Sequence, residues 1–430
     1  MDAFMRFALN VREIVRKDPV LVVAIVLAII SCAAVPPDAA YAEYVDLRTI
    51  GMLFSLMTIM AGLSRLGVFR IACRHLLSAV RGPRRLALAL TLLAFFSSML
   101  ITNDVALVTF VPFALLALRT LDSPRHACFT VVMMTIAANL GSMLTPIGNP
   151  QNLYLYSTSH MALTDFLLLM LPYAAAALVL LVGAIAFFGR IPEHAKEKAA
   201  RSVDAGNPAS SSEDGSADSP ATCGEADNAA SATDANETPQ LASDADDPAP
   251  SPLRVLPWAA LFVLALLSVA HILPYQAIVA ATIAVAVAAH GRGVADRRAL
   301  LHVDYALLFT FIAFFAFVGN VGRIEMVSTA LAQLIDGHEL AVSVIASQVL
   351  SNVPAAILLS GFTSYFAALI VGTNLGGLGT LIASMASLIS YKQVALVLPR
   401  EKGRYFMLFT VWNIAFLAVL AVLAAVLEVL

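Results

Sequence analysis

Polar and charged residues in this chain punctuate long apolar runs and do not alternate with them, so the periodicity is that of membrane helices rather than of half-buried strands. Apolar runs fall near residues 19–35, 46–66, 126–158, 165–188, 254–272, 275–290, 303–322, 370–391 and 405–429. A helix needs about 20 residues, at about 1.5 Å each, to cross about 30 Å of hydrocarbon. Two further apolar stretches differ in their flanks. Residues 86–118 lie between Arg81, Arg84 and Arg85 on one side and Arg119 and Arg125 on the other, which puts both ends in the cytoplasm and predicts a re-entrant hairpin. Residues 340–369 hold no Lys or Arg and suit a matching hairpin that enters from outside; the alternative is that each stretch crosses fully as two short spans.

Composition agrees. Hydrophobic residues make up 60% of the chain and charged residues 13%, with mean hydropathy +0.84, against about a quarter charged in soluble domains. The fold class expected is an all-α polytopic membrane protein. The start carries Arg6, Arg12, Arg16 and Lys17 ahead of a full-length span without a small-residue cleavage site, which predicts an uncleaved signal anchor with its N-terminus in the cytoplasm. Of the 26 Lys and Arg residues only Arg48 and Arg323 then face outward. Cys32, Cys73, Cys128 and Cys223 are scattered, without the spacing of a disulfide framework or a metal centre.

One stretch breaks the apolar pattern. From Ser202 to Leu253 there is no Lys or Arg, and acids stand at Asp204, Glu213, Asp214, Asp218, Glu225, Asp227, Asp234, Glu237, Asp244, Asp246 and Asp247 among Ala, Ser, Pro and Gly. Such a segment buries too little apolar surface to offset its ordering entropy. Residues 191–253 are therefore expected to be a disordered cytoplasmic linker between a first membrane repeat at 1–190 and a second at 254–430. The net charge of −3 comes from these eleven acids, since the rest of the chain carries 26 basic and 18 acidic residues.

The two halves repeat. NLGSMLTPIGNPQNL, Asn139 to Leu153, aligns with NLGGLGTLIASMASL, Asn374 to Leu388, with identities at Asn139/Asn374, Leu140/Leu375, Gly141/Gly376, Thr145/Thr380, Ile147/Ile382 and Leu153/Leu388. Gly, Pro, Asn and Thr inside an apolar stretch predict a helix broken partway, with freed backbone groups turned to a cavity. Asp46 and Arg65 are 19 residues apart, as are Asp304 and Arg323, and each pair brackets about 28 Å of helix. Ser98 precedes Asn103 by five residues and Ser347 precedes Asn352 by five. Each half thus reads as a span, a hairpin (86–118, 340–369) and a broken helix (126–158, 370–391), run in opposite directions: inverted repeats.

LITNDVALVTFVPF, LGSMLTPIGNPQN, SQVLSNVPAAILL and GTNLGGLGTLIASMASLI together resemble the ion transporter superfamily of divalent anion/sodium symporters, citrate transporters, arsenite pumps and sodium/proton antiporters. The resemblance covers nearly all of the chain outside the acidic segment. It implies a scaffold and a moving transport domain, an elevator motion and a homodimer. It also implies a solute between the hairpin tips at Thr102, Asn103, Ser351 and Asn352, and cations at Ser98, Asn103 and Gly148 and at Ser347, Asn352, Asn374, Gly376 and Gly377. The physical chemistry fits: helix starts favour negative charge, while carbonyl, Ser and Asn oxygens suit sodium. The plain alternative is that these small and polar residues only let helices pack closely.

The chain departs from the carboxylate branch where Asp104 and Val353 follow the tip asparagines. A buried carboxylate there repels a dianion, so Asp104 is a candidate for substrate contact or for coupling to a proton or cation; its alternative role is an N-cap. Thr145, Pro146, Asn149 and Thr380 join the substrate-site candidates, with Gln151, Asn152, Ser384 and Ser387 ranked below them. Glu325 beside Arg323 is a candidate rim ion pair. No phosphate loop or zinc motif is present. The expectation is an ion-coupled secondary transporter of a small, anionic solute in a bacterial inner membrane. Its partners would be lipid and a second copy of the chain, with no nucleic acid and no cofactor beyond sodium or protons. Arsenite or antimonite efflux and sodium/proton antiport are the rival transport readings; a channel and an intramembrane enzyme are remoter ones.

Overall fold

The structure is a computed structural model that describes residues 19–80, 82–119, 123–188, 252–288 and 298–427. Among them every regular element is a helix. The proposed linker at 191–253 lies outside the described residues except for its last two, which open a helix.

After α1 (Pro19–Ala34), the first half runs α2 (Leu47–Arg65), α3 (Val68–Ala79), the pair α4 (Pro83–Ser98) and α5 (Asn103–Arg119), the broken pair α6 (Pro124–Ser142) and α7 (Pro150–Ser159), and α8 (Leu163–Phe188). The second half follows α9 (Pro252–Val269) and α10 (Tyr275–Ala288). It runs α11 (Tyr305–Gly322), α12 (Glu325–Ile335), the pair α13 (Glu339–Leu350) and α14 (Asn352–Ser360), the broken pair α15 (Phe366–Gly376) and α16 (Met385–Val397), and α17 (Lys402–Val426). The order of elements is the same in both.

Local chemistry starts and stops these helices. Asp46 caps α2, accepting from the Arg48 and Thr49 N–H groups, and Asp304 caps α11, accepting from Leu307 N–H. The two aspartates therefore act first as helix caps. Proline opens α4, α6 and α7, where its missing N–H has no partner to lose. Four helices, α2, α8, α11 and the stretch Pro399–Val426 that includes α17, are long and apolar enough to cross a membrane. Their outward faces stay apolar: Leu168, Val179 and Phe187 on α8 and Met407, Val411 and Val422 on α17 are exposed, as lipid-facing residues are.

The interior is α6, buried at every residue from His126 to Ser142. Lipid is as apolar as leucine, so close packing at small residues, not burial of oil, holds membrane helices together. Gly141 provides it against α4, where a Cβ would meet the Phe95 carbonyl and the Ser98 hydroxyl. Packing follows a rule of exchange. Within each half the first arm of the pair lies on the first part of the broken helix, α4 on α6 and α13 on α15. Between halves, α5 packs on α16 and α14 on α7, while α1 packs on α11 and α10 on α2.

Two boundaries, two added helices and one ion pair differ from the sequence expectation. The second broken helix begins at Phe366, inside the stretch given to the hairpin, because the hairpin already ends at Ser360; a turn with Tyr365 N–H on Thr363 Oγ1 (3.0 Å) separates them. It also runs on to Val397. The amphipathic helices α3 and α12 occupy residues the hydropathy pattern left unassigned. Arg323 pairs with Asp38 (2.8 Å), in place of the expected Glu325, and donates to Tyr44 Oη (3.1 Å).

Candidate functional site

Each pair of arms turns on a strained residue. Thr102 and Ser351, one before the tip asparagine, have φ of 37° and 77°, a region that side-chain-bearing residues seldom occupy. Turning there aims the next N–H out of the turn. Asn103 N–H donates to Gly148 O (3.2 Å) and Asn352 N–H to Ala383 O (3.0 Å). Gly148 and Ala383 stand at the same step of the duplicated motif, nine residues after Asn139 and Asn374. The start of α5 is thereby tied to the start of α7, and the start of α14 to the start of α16.

Two asparagines join these pairs. Asn139 Oδ1 accepts from Asn103 Nδ2 (3.0 Å) and Ser384 Oγ (3.1 Å), and Asn139 Nδ2 donates to Ser387 Oγ (3.2 Å). Asn374 Oδ1 accepts from Asn149 Nδ2 (3.3 Å), and Asn374 Nδ2 donates to Asn152 Oδ1 (2.6 Å). The partners are exchanged across the halves at equal spacing: Asn149 and Asn152 lie ten and thirteen residues after Asn139, Ser384 and Ser387 ten and thirteen after Asn374. Asn103, Asn139, Asn352 and Asn374 are only 4%, 4%, 6% and 3% exposed, so all four side chains are shut off from solvent.

The remaining candidates fall into two groups. Ser98 and Ser347 press on the paired glycines: a Cβ at Gly141 would lie 2.1 Å from Phe95 O and 2.7 Å from Ser98 Oγ, and one at Gly376 2.6 Å from Ser347 Oγ. Both hydroxyls donate within their own helices, Ser98 to Phe95 O (2.9 Å) and Ser347 to Ser343 O (2.7 Å). Asn352 Nδ2 sits 3.2 Å from where a Cβ on Gly377 would be, so this glycine abuts the tip. Thr145 Oγ1 donates to Met99 O, and Thr380 Oγ1 to Gln348 O (3.3 Å), each tying the broken stretch to the end of the hairpin's first arm. Thr380 is exposed. Pro146 is buried in the first break.

Asp104 lies in the first turn of α5, and its N–H donates to Asn103 Oδ1 (2.9 Å). Its Oδ1 is buried without a hydrogen-bond partner, so that oxygen does not cap the helix; Asn149 Oδ1 and Gln151 Nε2 are also buried and unpartnered. Buried polar atoms of this kind call for a ligand, a water or a proton. Asn139, Asn152, Ser384, Ser387 and Gln348 take a larger part in the arrangement than the sequence suggested. The in-step identity of Asn139 with Asn374 was the available signal.

Residues 7–363 match the citrate transporter family, CitMHS. The chain belongs to this family. Its members are transporters, and the chain is therefore a membrane transporter and not an enzyme. Relatives extend the likeness over most of the length. The inner membrane protein YbiR of Escherichia coli is 26% identical over 353 residues, 81% of this chain and 80% of YbiR. The uncharacterized transporter MJ0456 of Methanocaldococcus jannaschii is 26% identical over 349 residues, 81% of each. The silicon efflux transporter LSI3 of Oryza sativa is 36% identical over 141 residues, 33% of this chain and 28% of LSI3.

Proposed function

We propose that the chain is an ion-coupled secondary transporter that moves a small anionic solute, a carboxylate or an oxyanion, by alternating access. The solute is held between Thr102–Asn103 and Ser351–Asn352. The observation that carries this reading is the chain of hydrogen bonds that links the starts of α7, α5, α16 and α14 through Gly148, Asn139, Ser384 and Ala383. Each helix start presents the positive end of its dipole, and four together favour one compact anion. Carbonyls of the two breaks near Gly148, Gly376 and Gly377, with Ser98, Ser347 and the asparagine oxygens, offer a hard cation such as sodium its ligands; Asp104 offers a proton site.

The exchange of partners between halves supports inverted repeats, since α5 on α16 has its mate in α14 on α7, and α1 on α11 has its mate in α10 on α2. The arms α13 and α14, with 12 and 9 residues, rise only about 18 and 14 Å; lengths well short of about 30 Å suit re-entrant hairpins. In this reading the protein sits in a bacterial inner membrane as a homodimer, with its N-terminus and residues 191–253 in the cytoplasm. Flux in proteoliposomes tests it. Wild-type uptake of citrate, succinate, phosphate or sulfate driven by a sodium or pH gradient should fall to background in Asn103→Ala and in Asn352→Ala, both still folded. Retained flux in both variants sinks the site.

A second reading is favoured by Asp104 and by the relative named as a silicon efflux transporter. An acid beside the tip disfavours a dianion, and a neutral hydroxylated solute such as silicic or arsenous acid, exported in exchange for protons, avoids that repulsion. Ligand-dependent melting separates the two: a ligand at a hundredfold excess over its Kd adds about 2.7 kcal/mol to the folded state. Sodium-dependent stabilisation by a carboxylate favours the first reading, and stabilisation by the neutral acids alone favours the second.

A further inference from the structure

An open depression lies away from the hairpin tips. It has a volume of about 310 Å³ and is lined by Arg48 from α2 and by His271, Leu273, Pro274 and Tyr275 from the turn between α9 and α10. The turn is built to hold His271 there. His271 has a φ of 63°, its N–H donates to Ser268 O (3.0 Å), and Ile272 N–H donates to Leu267 O (2.9 Å), a left-handed cap that ends α9. The same Ser268 carbonyl lies 3.5 Å from Arg48 Nη2, a long contact that sets the guanidinium beside this turn. His271 Nδ1 lies 3.4 Å from Tyr156 Oη on α7, with the rings edge to face.

The charge at this cavity is positive and uncompensated. Arg48 has no carboxylate within 4 Å among the described residues. Asp46, two residues earlier, turns its carboxylate back to the Arg48 and Thr49 N–H groups and the Thr49 hydroxyl. A smaller cavity shares Arg48 and continues to Leu153, Tyr156 and Ser157. On α7, Asn149, Leu153 and Tyr156 follow one another on one face, at the spacing of successive helical turns. Tyr156 therefore stands about 10 Å along the same face from Asn149, the residue bonded to Asn374 in the buried site.

We propose that Arg48 and His271 form a capture site for a small carboxylate or oxyanion, distinct from the site at the hairpin tips and joined to it along the α7 face. A guanidinium beside an imidazole, with no carboxylate within 4 Å among the described residues, binds such a group through paired N–H donors. The inference rests on the anion-transport reading, and its test separates the two.

The test is equilibrium dialysis of radiolabelled citrate and of inorganic phosphate against the purified full-length chain. In the Asn103→Ala/Asn352→Ala variant one saturable, salt-weakened site should persist for at least one of the two anions. Adding Arg48→Gln should weaken it about tenfold or more, while Arg48→Lys, which keeps the charge and loses the paired donors, should fall between the two. Absence of saturable binding of both anions in the double variant, or binding unmoved by Arg48→Gln, overturns the capture site. Should Arg48→Gln fail to fold, His271→Ala must weaken binding by itself, and an unchanged isotherm is equally decisive against it. A wild type that binds as the double variant does, with loss in Arg48→Gln, upholds the capture site while removing the asparagines' role at the tips.

Discussion

Asn139 has three side-chain partners at once, Asn103, Ser384 and Ser387, and is 4% exposed. Truncating it leaves one amide and two hydroxyls buried without their partner, which costs about 1–3 kcal/mol for an unsatisfied group. Asn139→Ala should therefore lower the thermal midpoint and cut flux at least about tenfold, and Asn374→Ala should do the same because its bonds are the exchanged set. A flux defect in only one of them breaks the pairing of the two sites. Thr102 separates strain from contact. A left-handed β-branched residue costs about 1–2 kcal/mol relative to its relaxed backbone, so Thr102→Gly should raise the midpoint of the unliganded protein while lowering solute affinity if the hydroxyl touches solute. Calorimetric melting with and without the transported solute checks both. Residues of this kind were legible to different degrees. Asn103 and Asn352 were visible as tips because their spacing from Ser98 and Ser347 repeats; Thr145 and Thr380 repeat just as well, and their hydroxyls donate to backbone carbonyls. Repetition marks a residue that the architecture needs, and cannot tell frame from site.

At the scale of elements, hydropathy finds what lipid surrounds and misses what lies at its edge. The long helices α2, α8, α11 and α17 agree with the apolar runs to within a few residues. The amphipathic α3, with Arg70, Arg74 and His75 among its apolar residues, averages out to neither class. The start of α15 was missed for a related reason: Phe366 to Leu369 is as apolar as the hairpin before it, and only the turn through Gly361 and Thr363 divides them. Helix ends also carry the charge pairs that join the halves. Arg323 closes α11 and meets Asp38, which follows α1, so the ion pair spans two elements that pack on each other. The hydrogen bond from Arg323 holds the Asp38 carboxyl below its ordinary value of 3.8. A group lowered on folding stabilises the protein above its unfolded pKa, and that contribution disappears as pH falls through the lowered folded value. Wild type should melt slightly above Asp38→Asn at pH 6, and the gap should close as pH falls below 3.8. The gap is small because both side chains are exposed. A gap that persists or widens at acid pH is inconsistent with this pair.

For the whole molecule, the exchange of contacts across the halves decides what can move. Helices α1 with α11 and α10 with α2 form one set of cross-packed partners; α5 with α16 and α14 with α7 form another, held by the asparagine network. The two sets meet where α11 packs on α14 and α2 on α7, with Tyr154 of α7 against Phe311 and Phe315 of α11, and at the small cavity where Thr49 and Met52 of α2 face Leu153 and Ser157 of α7. If alternating access is a displacement of the second set against the first, a bridge there must stop it. In a chain with its native cysteines replaced, Thr49→Cys/Ser157→Cys linked by a short bifunctional thiol reagent should lose at least about nine-tenths of its flux, and a reducible linker should restore flux once cleaved. Each single cysteine treated alike should keep its flux. Sulphydryl chemistry at this seam also separates the transporter from a channel, because a pore through fixed helices conducts with the seam clamped. Unchanged ion or solute flux after confirmed cross-linking would show that α2 and α7 do not move apart during transport, and the division into a scaffold and a moving body would fall with it.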